Sequence, residues 1–213
     1  MSVRAKICGL STPEAVASAL AGRAAFLGFV FFAASPRNID PQVAAHLAAP
    51  ARGRAAVVAV TVDPDDALID RLAATLRPDL IQLHGKETPA RAREVARRAG
   101  VGVIKALPVS ASADLALAAP YEDVVQHLMF DAKPQPDATR PGGAGVAIDA
   151  SIFAGRRFQR PWFLAGGLDP WNVAEAIRVS GAPMVDVSSG VERGPGLKDP
   201  TLIGTLLEAV RRA

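Results

Sequence analysis

Short apolar runs alternate with longer amphipathic stretches rich in alanine and arginine, about eight times along the chain. The runs predict strands at Val3–Cys8, Ala25–Phe31, Ala55–Val62, Leu80–Leu83, Gly102–Ala106, His127–Phe130, Trp162–Ala165 and Met184–Val187. Most are continuous and rich in Val, Ile, Leu or Phe, as expected for strands buried on both faces. The stretches between them read as helices, several with start and stop signals. Ser11-Thr12-Pro13-Glu14 sets a hydroxyl cap before a proline, with an acid in the first turn. Asp63-Pro64-Asp65-Asp66 and Asp169-Pro170 repeat the device. The stretch from Thr88 to Ala99 closes on Arg97-Arg98 and Gly100, a basic last turn followed by a helix stop.

Strand–helix alternation implies parallel strands joined by right-handed crossovers. Eight such units in 213 residues predict a (β/α)8 barrel, a single domain over residues 1–213, slightly under the usual size of that fold. An open doubly wound sheet would carry Gly-x-Gly-x-x-Gly after its first strand, and that motif is missing there. The segment 16–34 is almost wholly apolar, yet Gly22-Arg23 interrupts it, and a charge in the middle of a membrane span is costly. A helix, a turn and a buried strand fit it better. The start of the chain lacks the pattern of a secretory leader, and one cysteine cannot form an internal disulfide. Cations are scattered among acids at a net charge of +3, with no basic run interleaved with aromatics. The expectation is a cytoplasmic protein with no nucleic-acid and no membrane partner, either a monomer or a homodimer.

A barrel of this kind carries its chemistry where strands end, and the unusual residues fall there. Lys6, Cys8 and Gly9 end the first strand, Ser35-Pro36-Arg37 follow the second, Gln82 and His84 lie at the fourth, and the fifth carries Lys105. Asp131 ends the sixth, Gly166-Gly167 the seventh, and Asp186 with Ser188-Ser189-Gly190 the eighth. The glycine and serine loops let backbone N–H groups approach an anion, and loops after strands seven and eight are the usual phosphate site of the fold. Two-residue alternation puts Lys6 and Cys8 on one face, where the cation favours thiolate and makes Cys8 a base or a nucleophile; a buried small hydrophobe is the plainer reading. Asp149 reads as an acid or as the cap of a helix beginning near Ser151. Arg37 suits a carboxylate, and His84 is catalytic, ligand-binding or structural. Residues 133–145 (KPQPDATRPGGAG) read as an active-site loop. One Cys and three His provide no zinc motif.

Taken together, KICGL at 6–10, Ser35-Pro36-Arg37, QLHG at 82–85, Ile104-Lys105-Ala106, Gly142-Gly143-x-Gly with Asp149, LAGGL at 164–168, Pro170-x-Asn172-Val173, VDVSSGVE at 185–192 and Pro195-Gly196-x-Lys198-Asp199 resemble the phosphoribosylanthranilate isomerases over the whole chain. The resemblance implies an Amadori rearrangement of a phosphosugar–anthranilate substrate in tryptophan biosynthesis, with no cofactor and no metal. It also implies Cys8 as general base, Asp149 as general acid, Arg37 facing the anthranilate carboxylate and the glycine and serine loops holding phosphate. Lys6 and His84 join the expected binding residues. One departure stands out: Ile148-Asp149-Ala150 replaces the family's Phe-Asp-Trp, which removes the aromatic packing that would tune the acid. Asp131 is the alternative acid. A related ribonucleotide-imidazole isomerase would present an aspartate in place of Cys8, an indole-forming synthase more lysine and glutamate at the strand ends. A non-catalytic phosphate-binding barrel has no need of Cys8, Arg37 and Asp149 together.

Overall fold

The computed structural model describes residues 2–133 and 148–213. Eight parallel strands, β1 (Arg4–Cys8), β2 (Phe26–Phe31), β3 (Ala56–Thr61), β4 (Leu80–Leu83), β5 (Gly102–Val109), β6 (His127–Ala132), β7 (Trp162–Leu164) and β8 (Met184–Val187), pair in sequence order. Pairing of β1 with both β2 and β8 closes the barrel. Each predicted strand is present, β4 and β8 with the expected bounds and the others with one or both ends moved by one to three residues; β5 and β6 run on toward the rim.

Helices α1 (Pro13–Ala21), α2 (Pro41–Ala48), α3 (Asp66–Thr75), α4 (Pro89–Ala99), α5 (Val173–Ser180) and α6 (Pro200–Arg212) pack around the strands. Thr12 caps α1 by accepting the Ala15 N–H, Thr88 caps α4 by accepting that of Arg91, and Gly100 ends α4 at φ +69°. Two predicted caps sit elsewhere. Asp65 caps α3, while Asp63 lies before the proline at φ +44° and accepts the Lys86 N–H. Asp169 accepts the N–H groups of Trp171 and Asn172, and α5 starts only after that turn. The segment 16–34 divides into α1, a turn at Gly22-Arg23 and β2. Among the described residues, no helix is long and apolar enough to cross a membrane.

Two expected helical layers are 3-10 segments instead, Ser112–Tyr121 between β5 and β6 and Ala150–Phe153 before β7. In the first, Leu115 and Ala118 are the buried positions, a spacing of three that matches a 3-10 turn, and Pro120 breaks continuation. A short hairpin, β9 (Glu192–Gly194) with β10 (Leu197–Lys198), follows β8 and was not anticipated from the strand pattern.

Alternation along each strand separates two cores. Leu27, Phe29, Ala59, Ile81, Leu128, Phe130 and Val185 face the helices. Phe26, Val30, Val58, Val60, Leu80, Ile104, Met129, Phe163 and Met184 fill the barrel interior together with Cys8. The same parity carries Lys6, Gln82, Asp131 and Asp186 inward at the rim. It carries Lys105 outward, into the space between sheet and helices, where its ammonium meets Glu87 at 2.7 Å and the Gly85 carbonyl at 2.7 Å.

At the opposite end of the barrel His127 is buried against Phe26 and Phe163, and among the described residues its Nδ1 has no hydrogen-bond partner. Burial, helped by the charge of Arg4, lowers its pKa from 6.5 to about 4. The unfolded chain therefore takes up this proton first, so stability present above pH 6.5 is lost as pH falls toward 4. Urea unfolding at neutral pH and near pH 4.5 is expected to show about 2 kcal/mol more acid destabilisation in the wild type than in His127→Gln. Equal pH dependence in the two proteins contradicts this account.

Candidate active site

The strand ends surround one pocket at the C-terminal mouth of the barrel. Cys8, Arg37, His84, Asp131, Gly166, Gly167, Asp186, Ser188 and Ser189 line it, with Val30, Phe32 and Val60 among its apolar walls. Three expected site residues lie elsewhere: Lys6, Gly190 and Asp149.

Lys6 is fully buried one layer below the pocket and pairs with Asp186 at 2.9 Å, its register partner on β8. The strand opposite makes room. Gly28 faces Cys8 in register, and a Cβ there would come within 3.0 Å of the Lys6 Nζ and 3.2 Å of the Cys8 Sγ. A glycine inside a buried strand is a signal of such close approach.

Burial pushes the Cys8 thiol above its ordinary range. Lys6 opposes this and Asp186 adds to it. Burial would also strip Lys6 of its proton, but Asp186 and Cys8 outweigh it and hold the ammonium above its usual range. The push of Lys6 toward thiolate exceeds the opposing effect of Asp186, and burial outweighs it. Cys8 sits over a neutral ion pair as a protonated thiol which, once ionised, is a strong base.

Asp131 is buried at the end of β6, and one of its oxygens accepts from His84 Nε2 at 3.0 Å. The Gln82 amide donates to His84 Nδ1 at 2.9 Å, which leaves the imidazole proton on Nε2 facing the carboxylate. This interaction engages Oδ2, leaving Oδ1 for the pocket. Behind it, Glu87 accepts the N–H groups of Asp63 and Gly85 and pairs with Lys105, so the loop bearing His84 is anchored from below.

The structure treats Asp149 differently. Its carboxylate is fully exposed, accepts the Ser151 N–H at 2.9 Å as a cap, and is held below its usual range by that contact. It lines a separate shallow depression behind Gly166 and Gly167, with Asn172 and Glu175. The helix-cap reading describes it, and among the described residues Asp149 does not line the pocket that holds Cys8. The expected active-site loop, apart from Lys133, falls outside the described residues.

Gly166 and Gly167 both have positive φ, +93° and +63°. A Cβ at Gly166 would strike the Ala132 backbone nitrogen at 2.6 Å, so only glycine brings this loop against the end of β6. Gly190 lies outside the pocket lining and packs closely: a Cβ there would lie 2.0 Å from the Leu168 carbonyl oxygen. It lets the loops after β7 and β8 close on each other, while Ser188 and Ser189 face the pocket.

Arg37 is buried along Gly9, whose own Cβ would sit 2.6 Å from the Arg37 Cδ. Its guanidinium is gripped in bidentate fashion by Glu192, Nε to Oε1 at 2.7 Å and Nη2 to Oε2 at 2.8 Å. Lys198 joins at 2.6 Å and also donates to the Ser188 carbonyl at 2.8 Å. Glu192, Lys198 and the depth of Asp186 were not recognised from sequence as parts of one assembly. The hairpin turn Gly194-Pro195-Gly196, which sets Glu192 beside Lys198, was the available signal.

Across residues 5–209 the chain matches the family model described as N-(5'phosphoribosyl)anthranilate (PRA) isomerase. It is 69% identical over 210 residues, 98% of this chain and 96% of the relative, to the N-(5'-phosphoribosyl)anthranilate isomerase of Caulobacter vibrioides. The phosphoribosyl anthranilate isomerase of Thermotoga maritima superposes with a TM-score of 0.87 at 32% identity, covering 99% of this chain and 100% of that one. A further isomerase structure, a complex with reduced 1-(o-carboxyphenylamino)-1-deoxyribulose 5-phosphate, matches at a TM-score of 0.85 and 32% identity, over 99% of this chain and all of that one.

Proposed function

The chain belongs to the N-(5'-phosphoribosyl)anthranilate isomerase family, and from that premise we propose that Cys8 and Asp131 are the base and acid of its reaction. It catalyses the Amadori rearrangement of N-(5'-phosphoribosyl)anthranilate to 1-(o-carboxyphenylamino)-1-deoxyribulose 5-phosphate in tryptophan biosynthesis. The observation that carries the residue assignment is that Cys8 and Asp131 line one pocket between the phosphate-type loops and Arg37.

The substrate's phosphate seats on the backbone N–H groups of the loops at Gly166-Gly167 and Ser188-Ser189. Its anthranilate carboxylate meets Arg37 on the other side. Asp131 donates a proton to the ribose ring oxygen, the C1–O bond breaks, and the nitrogen lone pair forms a Schiff base. The Cys8 thiolate then removes the C2 proton, and the electron pair left behind neutralises the iminium to give an enolamine. Tautomerisation of the enol yields the 2-ketone. The two groups line the same pocket, so acid and base act on neighbouring atoms of one bound sugar without the substrate turning over.

The ionic state of the floor fits this order. A thiol held above its ordinary range is a base matched to a weakly acidic carbon, and the Lys6–Asp186 pair gives it a fixed polar support. A phosphorylated intermediate of amino-acid synthesis places the reaction in the cytoplasm. Purified protein with freshly prepared phosphoribosylanthranilate and chelator, but no added metal or nucleotide, is expected to abolish the anthranilate-type fluorescence. No turnover above the uncatalysed background overturns the functional reading.

A further inference from the structure

The Arg37 guanidinium has five N–H bonds, and Glu192 takes two of them, the Nε–H and one on Nη2. What remains is the outer edge, the two N–H bonds of Nη1 and one of Nη2, and Arg37 itself lines the pocket. Glu192 is saturated in return. Its Oε1 accepts from Arg37 and from Lys198 at 2.6 Å, and its Oε2 from Arg37 and from the Gly196 N–H at 3.2 Å. Burial would raise the pKa of this carboxyl, but Arg37 and Lys198 outweigh it and hold the group ionised.

The backbone around this contact is shaped for it. Glu192 opens the β9–β10 hairpin, and Gly196 at its turn, φ +80°, packs so closely on the other loop that a Cβ would lie 2.6 Å from the Pro36 carbonyl oxygen. Gly9 lies directly against the Arg37 stem, where a Cβ would come within 2.6 Å of Cδ. The guanidinium is thus held by a carboxylate behind it and a glycine beneath it. An arginine paired only by its inner edge presents a planar, two-pronged donor of fixed direction, the shape that matches a carboxylate. Without Glu192 the long side chain is free to swing toward the other anions of the pocket, Asp186 or a bound phosphate.

We propose that Glu192 is a positioning residue that aims Arg37 and thereby sets the selectivity of the site for a substrate whose aromatic ring bears a carboxylate. This rests on the reading of Arg37 as the carboxylate partner. Glu192 touches no reacting atom. Its connection through Lys198 to the Ser188 carbonyl ties the carboxylate end of the site to the phosphate loop.

The test compares kcat/KM for phosphoribosylanthranilate with kcat/KM for the same compound built on aniline, which lacks the carboxylate. Wild type is expected to prefer the anthranilate compound strongly. Glu192→Gln is expected to lower that preference by about tenfold or more, the loss falling on KM rather than kcat, and Glu192→Asp to recover part of it. Because Glu192→Gln leaves two buried cations unbalanced, Glu192→Gln/Lys198→Met serves as the second variant, in which one cation is removed with the acid. Wild-type preference in either soluble variant overturns the proposal. Arg37→Leu separates the two levels. If it abolishes the preference while the Glu192 variants retain it, the positioning role fails and the carboxylate reading stands. If Arg37→Leu itself retains the preference, the carboxylate reading fails and takes the proposal with it.

Discussion

Cys8→Ser is expected to lower kcat by about a thousandfold while leaving the affinity for the reduced product analogue within a few-fold of wild type. The serine hydroxyl is nearly isosteric, so the packing over Gly28 and Lys6 survives. Its proton, however, is held far too tightly for the group to serve as a base near neutral pH. On the proposed assignment the glycine and serine loops and Arg37 supply the binding energy, and the change does not touch them, so the loss belongs to the transition state alone. A Cys8→Ser enzyme within tenfold of wild type removes Cys8 from the proton transfer.

Most of the barrel was legible because its strands are short, apolar and separated by capped helices; Thr12, Thr88 and Gly100 sit where their chemistry demands. The 3-10 layers were not, since Ser112–Tyr121 buries positions three apart and differs from a helix only in fine spacing. The pocket was legible to the extent that it depends on chain position: Cys8, Arg37, His84, Gly166, Gly167, Ser188 and Ser189 all reach it. Errors arose where side-chain direction decides. Lys105 is one strand position out of phase with Ile104 and Ala106, which face the barrel interior, and so points to the helices. Gly190 looks like a phosphate loop residue and is needed for loop-to-loop packing. Glu192 is distant in sequence from Arg37, and only the hairpin brings them together.

The choice of acid is the clearest of these cases. Asp131 and Asp149 both follow β6 along the chain, and motif resemblance favoured the second. Two-residue alternation already separates them: His127 and Met129 face the interior, so Asp131 does too, at the level of Cys8. Asp131 is buried in the pocket, with one oxygen held by His84. Asp149 is exposed, lowered in pKa by the Ser151 contact, and lines a different depression. Replacing it removes only the cap on Ser151.

The account therefore stands on a single comparison, kcat with saturating phosphoribosylanthranilate for Asp131→Asn and for Asp149→Asn. It predicts a fall of about a hundredfold to ten-thousandfold for Asp131→Asn and near-wild-type turnover for Asp149→Asn. The reverse order, Asp149→Asn inactive and Asp131→Asn active, contradicts it.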